Sequence, residues 1–498
     1  MTAPSRSLPP LALPRSTPAE QDTDPAAITA FLEAVGTRPD IEMHSLMVLR
    51  HGHVITAGWW APYSADRRHL LYSLSKSFTS AAVGFARAEG LLDLDDPVVR
   101  HFPEFENDIT DPGSRPILVR HVAAMASGHD REMAGEALQR DPDEPVRGFL
   151  LIPPDREPGT VFAYSQPCTY TLASIVQRNA GMPLTGYLRP RLFDPLGIGP
   201  VGWQTWPPGR QQGFSGLFAR TEDIAKLGLL HLQGGRWDGR QLLAADWVAQ
   251  ATRKQVDNPD REWPDWRQGY GFQFWMARHG YRGDGAFGQF CVVLPEQDTV
   301  VAITAYTLDM QGVLDALWEH LLPGLGDGTG RRPARPATDG AQQELTARLA
   351  GLALDAAGGD PAPADWGAWT GEPFTIAAQR ADLGGATVPV KPLTVSAAVT
   401  GDGDGWGLRL TEPGNALAFP AGTGRWAVST PADQRGNPIP VAASGGWDGP
   451  DRLRVEVIFL ETPHRMVLTL DRSGRAGTAT WRNPPLADQP LDYFACPA

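Results

Sequence analysis

Residues 71–79 read Leu-Tyr-Ser-Leu-Ser-Lys-Ser-Phe-Thr, and the rest of the chain is organised around this stretch. From Leu74 onward, apolar residues recur at three- and four-residue spacing, at Phe78, Ala82 and Phe85. This periodicity predicts a helix that begins near Leu74 and closes near Gly90. Ser73 is then expected at or just before the first turn of that helix.

Ser73 and Lys76 are three residues apart, so their side chains are expected on one helix face, about one turn from each other. A hydroxyl and an amine held that close can act as nucleophile and base. The positive end of the helix dipole and partial burial both disfavour an ammonium ion, which favours a partly neutral Lys76 near pH 7. Free N–H groups at the helix start can hold a developing oxyanion.

The scarcity of lysine strengthens this interpretation of a common pattern. The sequence is rich in arginine, and its lysines are Lys76, Lys226, Lys254 and Lys391. Lysine can lose its proton in a protein, whereas arginine effectively cannot. We therefore favour a functional Ser73–Lys76 pair over the alternative of two solvated surface residues.

Length and composition bound the remaining possibilities. The 498 residues exceed one ordinary core and predict two domains. The formal charge of −13 argues against nucleic acid or an anionic membrane as the main partner. The cysteines, Cys168, Cys291 and Cys496, imply no disulfide framework. With no signal-peptide core at the start and no membrane span later, we expect a soluble, cytoplasmic protein.

The β-rich runs predict an α+β architecture. Residues 46–60 form two such runs around His51-Gly52-His53, which we interpret as a hairpin turn rather than a metal pair because no third ligand lies nearby. Residues 270–275, 287–294 and 299–307 predict three further strands. Together these form a five-stranded antiparallel sheet flanked by helices, with an additional all-helical part.

Changes in composition divide the chain. Residues 1–25 are predicted to be a flexible N-terminal arm, and residues 26–323 form the domain that holds the sheet. Residues 324–341 are rich in Gly, Pro and Arg and predict a linker. Residues 342–498 begin with a helix at 342–354 and continue as short apolar runs separated by turns, which predicts a small all-β barrel or sandwich.

Two further polar stretches are candidates for the site. Tyr164 is expected on a loop just before a helix at 170–179, from which it can reach a neighbouring site. His129 follows the exit of a predicted helix at Ser127-Gly128, where it either lines a site or simply caps a polar helix end. The sequence leaves both interpretations of His129 open.

Three stretches together resemble the serine β-lactamase and penicillin-binding-protein superfamily, in its class C-like branch. They are Ser73-Leu74-Ser75-Lys76, then Tyr164-Ser165-Gln166, and then Gly283-Asp284-Gly285-Ala286-Phe287-Gly288-Gln289. The branch includes family VIII carboxylesterases, D-aminopeptidases and 6-aminohexanoate-dimer hydrolases. The order of the three motifs, their spacing and their secondary-structure context agree with this branch, and the resemblance covers residues 26–322. The resemblance implies the β-lactamase/transpeptidase-like fold for the first domain.

Two of these motifs depart from the pattern of the superfamily. The third contains no Lys or His, so the cation that recognises the carboxylate of a β-lactam or peptide is missing. Gln166 stands where the branch carries Asn, a residue that helps hold the substrate amide and the lysine. Both departures disfavour a β-lactamase or DD-peptidase, and neither affects the nucleophile or the base.

The resemblance implies acyl transfer without a metal or organic cofactor. Ser73 would attack an ester or amide carbonyl, with Lys76 and Tyr164 sharing its proton. The N–H groups of Ser73 and Ala286 would form the oxyanion hole, and Gly285 would let the substrate approach closely. Further substrate contacts are expected from Gln166, Asp284, Trp275 and His129.

The leading hypothesis is therefore a hydrolase of small esters or amides, with a small-molecule substrate as its partner. The alternatives are a β-lactamase or D-amino-acid peptidase and, less favoured, a non-catalytic binding module. The sequence also leaves a homodimer open.

Overall fold

A six-stranded antiparallel sheet runs through the first part of the chain. The computed structural model describes residues 12–326, 338–378, 396–401 and 405–497. Its strands in this part are Ile41–Arg50 (β1), His53–Trp59 (β2), His69–Leu70 (β3), Gly202–Trp203 (β4), Leu217–Ala219 (β5), Arg236–Trp237 (β6), Arg240–Gln241 (β7), Trp275–Met276 (β8), Tyr281–Gly285 (β9), Gln289–Leu294 (β10) and Thr299–Thr307 (β11). The α-helices are Pro25–Gly36 (α1), Ser75–Ala88 (α2), Val119–Ala123 (α3), Ala134–Arg140 (α4), Pro145–Leu150 (α5), Gln166–Ala180 (α6), Leu184–Leu188 (α7), Thr221–Leu232 (α8), Ala245–Ala251 (α9), Met310–Ala316 (α10) and Asp339–Ala350 (α11).

The sheet order is β2-β1-β11-β10-β9-β8, so strands from the two ends of the domain pair within the sheet. Strand β1 pairs with β11 in antiparallel register, with Leu46 opposite Ile303. The predicted hairpin of β1 and β2 and the antiparallel α+β fold are confirmed. The sheet has one strand more than the predicted five, because β9 was not recognised as a separate strand.

Strand β9 lacks the usual sequence signature of a strand. It reads Tyr-Arg-Gly-Asp-Gly, and both glycine and aspartate are depleted in strands. The structure shows why the glycines are there. A Cβ on Gly283 would lie 2.4 Å from Ser77 Oγ, and one on Gly285 would lie 2.1 Å from the carbonyl oxygen of Leu71. Close contact with the start of α2 therefore selects these residues, and local β propensity does not.

The aromatic run predicted as a strand at 270–275 is mostly irregular. Only Trp275 and Met276 pair as β8, and Gln273 has a φ of +66°. Its carbonyl accepts a hydrogen bond from Ser77, and the carbonyl of Phe272 accepts one from Ser80. Polar residues of α2 thus satisfy two carbonyls of this run, which take the place of ladder pairing at those positions.

Helix α2 is almost entirely buried, from Ser75 to Ala86. Its hydroxyl side chains donate to backbone carbonyls of surrounding loops, as Thr79 does to Gly213. On the far side, Gly84 packs against the indole of Trp247, where a Cβ would lie 2.4 Å from Cδ1. The helix that begins at the Ser73 turn is therefore fixed on several sides by the core.

The predicted arm and linker are ordered where they are described. Residues 1–11 and 327–337 lie outside the described residues, but Val54 N donates to Pro14 O and Thr23 bridges Leu325. The arm is thus held to the sheet over residues 12–25, because its backbone finds partners there. Helix α11, predicted to open the second domain, packs on the first: Leu345 is part of that core.

The C-terminal part forms a β barrel. Its strands are Phe374–Ala378 (β12), Ser396–Gly401 (β13), Trp406–Glu412 (β14), Asn415–Thr423 (β15), Ala427–Ser429 (β16), Val441–Asp448 (β17), Arg452–Phe459 (β18), Arg465–Asp471 (β19) and Ala476–Asn483 (β20). They form one sheet, which closes through a pairing of β15 with β17. A separate apolar core fills it, including Trp369, Trp447 and Phe459. Of the sequence alternatives, the structure shows the barrel.

The described ranges contain neither a candidate membrane helix nor a candidate metal cluster. None of the helices there is both long and apolar enough to cross a membrane. No group of three or more His, Cys, Asp or Glu side chains in those ranges is placed to hold a metal ion.

Candidate active site

Ser73 lies in a single 3-10 turn, Tyr72–Leu74, directly before α2. The turn is entered through Tyr72, whose φ of +48° is unusual for a residue with a side chain. Such a conformation costs on the order of 1–3 kcal/mol and persists only where neighbours hold it. Here Leu71 N donates to Leu217 O at 2.8 Å, and the hydroxyl of Ser75 accepts from Leu217 N at 3.0 Å.

The side chain of Lys76 is buried and points at Ser73. Its Nζ lies 3.1 Å from Ser73 Oγ, 2.6 Å from Gln166 Oε1 and 2.8 Å from the carbonyl oxygen of Phe214. Burial lowers the pKa of Lys76 to about 7, against the opposing effect of the carboxylates of Glu132 and Asp284. A large fraction of the lysine is therefore neutral at physiological pH.

The three oxygen neighbours of Nζ accommodate the neutral amine as well as the ammonium, which donates to all three. Gln166 Oε1 and the Phe214 carbonyl can only accept, so they take the two protons of an –NH₂ group. The remaining lone pair then lies toward Ser73, whose hydroxyl can donate to it. The amide of Gln166 thus contacts the lysine, as the Asn of the superfamily is expected to do.

Tyr164 lies two residues before α6 and beside both groups. Nζ of Lys76 is 4.8 Å from the centroid of the Tyr164 ring. Burial raises the pKa of Tyr164 above its ordinary value, and the charge of Asp284 raises it further, while a hydrogen bond with the Ser73 side chain opposes them. The phenol therefore retains its proton at neutral pH, so it passes one proton on only while it takes up another.

Trp275 fixes the ring of Tyr164. The two rings stack with centroids 5.1 Å apart at 26°, and Tyr270 meets Tyr164 edge-on at 6.2 Å. Such pairs add roughly 0.5–1.5 kcal/mol beyond their burial. Trp275 itself is buried, so the structure places this predicted substrate contact behind the tyrosine, as its support.

The third motif lies along the start of α2. Within β9, strand β8 pairs only with Tyr281 and Arg282, which leaves the end of β9 free to pack against the Ser73 turn. A Cβ on Gly285 would lie 3.1 Å from Leu74 N as well as 2.1 Å from Leu71 O. The protein's own backbone makes a close approach at Gly285, and the expected approach of the substrate there stays a prediction. Ala286 follows as the first, half-buried residue after the strand.

Asp284 is a buried charge. Its carboxylate accepts from Arg282 Nε at 3.1 Å, and the Arg282 guanidinium is itself fully buried. Burial raises the pKa of Asp284, although Arg282, Lys76 and the Trp275 side chain lower it. Asp284 is therefore present in the site as a carboxylate paired with Arg282. Its charge raises the pKa of Lys76 and the pKa of Tyr164.

His129 does not line the site. It is fully buried, its Nδ1 is 2.9 Å from Ser127 Oγ, and its Nε2 is 3.1 Å from the carbonyl oxygen of Ile152. Both ring nitrogens are therefore engaged in holding a turn. Of the two interpretations left open by the sequence, the structural one is correct, and the expected substrate contact is withdrawn.

Two residues of the site were missed by sequence reasoning. The carbonyl of Phe214 accepts from Lys76 across a separation of 138 residues, and no sequence pattern marks a backbone acceptor. Glu132 accepts from the N–H of Gln166 at 3.1 Å and so anchors the first residue of α6. A carboxylate at a helix start is a recognisable signal, but here it comes from a different segment.

Two cavities adjoin Phe214. One of about 890 Å³ lies between the two parts of the molecule and is bordered by Tyr72 and Ser215 on one side and by Tyr493 and Cys496 on the other. The other, of about 110 Å³, is apolar and is lined by Gln166, Trp206 and their neighbours. Binding clefts commonly have volumes of about 300–1,000 Å³, so the larger cavity can admit a small molecule.

The sequence of residues 28–322, more than half of the chain, matches the beta-lactamase family. The chain belongs to the beta-lactamase family. It is 28% identical over 327 residues to 6-aminohexanoate-dimer hydrolase of Paenarthrobacter ureafaciens, an alignment that covers 59% of this chain and 81% of the relative. It is 29% identical to esterase EstB of Burkholderia gladioli, over 38% of this chain and 54% of the esterase.

Solved structures are also similar to this member of the family. EstCE1, described as a hydrolase with promiscuous acyltransferase activity, matches with a TM-score of 0.49 and 18% identity, over 59% of this chain and 98% of its own. The family match and the similarity to 6-aminohexanoate-dimer hydrolase confirm the superfamily and branch inferred from the three motifs. The chain is a serine hydrolase.

Proposed function

We propose that this serine hydrolase cleaves small esters or amides through an acyl-enzyme on Ser73, with Lys76 as base and Tyr164 as proton carrier. The observation that carries the proposal is the environment of Lys76 Nζ. Two acceptors occupy its protons, its burial lowers the pKa to about 7, and its third neighbour is Ser73 Oγ at 3.1 Å. An amine in that state can take the proton of the serine hydroxyl.

Acylation begins when Ser73 Oγ attacks the substrate carbonyl carbon and its proton passes to Lys76 Nζ. The N–H groups of Ser73 and Ala286 hold the oxyanion that forms, and the support for Ala286 is that Gly285, the residue before it, packs against Leu71 and Leu74 on either side of Ser73. When the bond to the leaving group breaks, Tyr164 donates its proton to that group and takes one from the Lys76 ammonium. The net change is a serine ester and a free alcohol or amine.

Deacylation uses the same three groups in reverse. A water molecule attacks the acyl carbon and gives its proton to Tyr164, while Tyr164 passes its own proton to Lys76. The bond from carbon to Ser73 Oγ then breaks, and the Lys76 ammonium returns its proton to the serine. The acid is released, and every residue has recovered its starting charge.

Two features support a small and uncharged substrate. The apolar cavity of about 110 Å³ beside Gln166 can hold a short hydrocarbon group. The third motif carries Asp284, already paired with Arg282, in place of a cation that would bind a carboxylate, so nothing in that motif favours a negatively charged substrate. The names of the two relatives, a dimer hydrolase and an esterase, are consistent with amide and ester substrates.

We also propose a cytoplasmic location, with neither nucleic acid nor a membrane as a partner. The support is compositional: the described chain holds Cys168, Cys291 and Cys496 as free thiols, which suits a reducing compartment. The homodimer stays a prediction, and light scattering on the purified chain would test it.

The proposal is tested with a panel of nitrophenyl esters, linear aminohexanoate amides, D-aminoacyl amides and a chromogenic cephalosporin. Ser73→Ala should abolish turnover of every substrate that the wild type hydrolyses. Ser64→Ala, a change at an exposed hydroxyl that contacts Asp66, is the matched control and should leave turnover unchanged. Turnover by the Ser73 variant would refute the assignment, and a cephalosporin hydrolysed as fast as a short nitrophenyl ester would favour the β-lactamase alternative.

A further inference from the structure

The two peptide groups proposed to hold the oxyanion are each next to a residue in an unusual backbone conformation. Tyr72, before Ser73, has a φ of +48°, and Phe287, after Ala286, has a φ of +69°. Both values lie in the left-handed region, which is disfavoured for bulky side chains. Something outside the two backbone segments must hold these residues, or the N–H groups would not keep their positions.

The side chains of both residues meet at His464, which belongs to the C-terminal barrel. The hydroxyl of Tyr72 lies 2.7 Å from His464 Nε2. The Phe287 ring meets the imidazole edge-on, with centroids 5.8 Å apart at 87°, and it meets the Tyr72 ring in the same way at 5.3 Å. One residue of the second domain therefore contacts both sides of the proposed oxyanion hole.

The direction of the hydrogen bond follows from the other side of the imidazole. His464 Nδ1 lies 3.1 Å from the carbonyl oxygen of Asn483, which can only accept, so Nδ1 carries the proton. Nε2 is then an acceptor, and the Tyr72 hydroxyl donates to it. Burial lowers the pKa of His464 to about 3, which keeps the ring neutral and this arrangement intact at working pH.

The imidazole is rigidly held by the barrel. His464 O accepts from Phe459 N at 3.1 Å, and His464 N donates to the hydroxyl of Thr462 at 3.3 Å, just before strand β19. Tyr493, near the end of the chain, adds a longer contact of 3.4 Å between its hydroxyl and that of Tyr72. The tyrosine before the nucleophile is therefore tied to a second, independently packed core.

We propose that His464 is a positioning residue for the proposed reaction and that the C-terminal barrel acts by holding Tyr72 and Phe287, and with them the two oxyanion N–H groups. This inference rests on the proposed function. It gives the barrel a direct role in catalysis, because preorganised donors lose effectiveness when they are displaced by a fraction of an ångström.

The experiment compares variants of the full chain. Tyr72→Phe removes only the donating hydroxyl, His464→Leu removes the acceptor, and His464→Gln offers an amide oxygen in its place. Tyr306→Phe is the matched control, since the buried Tyr306 hydroxyl has no hydrogen-bond partner among the described residues, although its ring stacks on Phe287 at 4.6 Å. Each is measured for kcat and KM on a short nitrophenyl ester, for its labelling rate by a fluorophosphonate, and for thermal unfolding.

We expect Tyr72→Phe and His464→Leu to lower kcat by about fivefold or more, the effect of one lost hydrogen bond, with KM within about twofold of the wild type. His464→Gln should recover part of kcat, and Tyr306→Phe should behave as the wild type. The labelling rate at Ser73 should fall in parallel with kcat, because both reactions place negative charge on the same oxygen position.

Wild-type kcat in a folded Tyr72→Phe variant would overturn the inference, as would a loss of thermal stability with kcat unchanged. If His464→Leu fails to fold, the Tyr72→Phe result decides. A wild-type protein that neither hydrolyses the panel nor reacts with the probe would instead show that the proposed function is wrong, and the inference would fall with it. An active wild type with unaffected variants would contradict the inference alone.

Discussion

Because Lys76 is the proposed base, kcat/KM should fall when the pH is lowered. Burial lowers the pKa of this lysine from 10.5 to about 7. At pH 7 about half of the lysine is then neutral, whereas an exposed lysine would be neutral in roughly one molecule in three thousand. This decrease in the pKa of Lys76 corresponds to roughly 5 kcal/mol in favour of the neutral amine, which is the form that can act as the base.

The direction of the pH dependence follows from the proposed role of Lys76. The neutral amine is the active form, so kcat/KM should rise with pH, with unit slope below about pH 7 and a plateau above it. The profile of kcat/KM reports groups of the free enzyme, as this test needs. The assay is hydrolysis of a short nitrophenyl ester between pH 5 and 9, corrected for the uncatalysed rate, with unfolding checked at each pH.

One substitution tests whether the acid limb of the profile, the range below about pH 7 in which kcat/KM rises, reports the titration of Lys76. The charge of Glu132 raises the pKa of Lys76, so Glu132→Gln should move the limb to lower pH while its amide oxygen can still accept from Gln166 N. Glu296→Gln, in an exposed turn before β11, is the control and should leave the limb in place. A flat profile, or a limb that moves to higher pH in the Glu132 variant, would refute the reasoning.

Three other predictions concern the remaining parts of the site. Tyr164→Phe should lower kcat by roughly 10²–10⁴, the usual contribution of a positioned proton carrier, and wild-type kcat in this variant would exclude that role. Gly285→Ala places a Cβ 2.1 Å from Leu71 O, so kcat should fall at least about tenfold, and overpacking should lower the free energy of unfolding by about 1–3 kcal/mol in chemical denaturation. Gly186→Ala is the control and should be neutral, because a Cβ there meets nothing within 4 Å. Equal behaviour of the two variants would contradict the packing argument. Trp206→Ala should enlarge the cavity of about 110 Å³ and shift the preference of kcat/KM toward longer acyl chains, and an unchanged chain-length profile would show that this cavity does not hold the substrate.

The sequence alone predicted the part of the site whose residues are close together in the chain. Ser73 and Lys76 are one turn apart on a helix whose apolar spacing is plain, and that pairing could be predicted without the fold. Tyr164 and Gln166 needed more, because nothing in their own segment marks them. Their importance came from the resemblance to the superfamily, and the structure brings them to Lys76 through contacts 90 residues apart in sequence.

The remaining errors have one physical cause, which is packing between segments distant in sequence. Strand β9 was missed because its glycines serve close contact with α2, and those contacts cannot be seen in the strand itself. His129 resembled a site residue until its partners, Ser127 and Ile152, were known. The link from Tyr72 to His464 joins residues separated by 392 positions, and only the folded chain shows it.

The central claim is that Ser73 becomes acylated during turnover. The direct measurement is mass spectrometry of the Tyr164→Phe variant, quenched with acid during reaction with a nitrophenyl acetate. The variant slows deacylation, so we expect one acetyl group per chain, located on the peptide that contains Ser73 and absent when Ser73→Ala is added. An acetyl group on another residue, or turnover with no acylated Ser73 at any time point, would contradict the account.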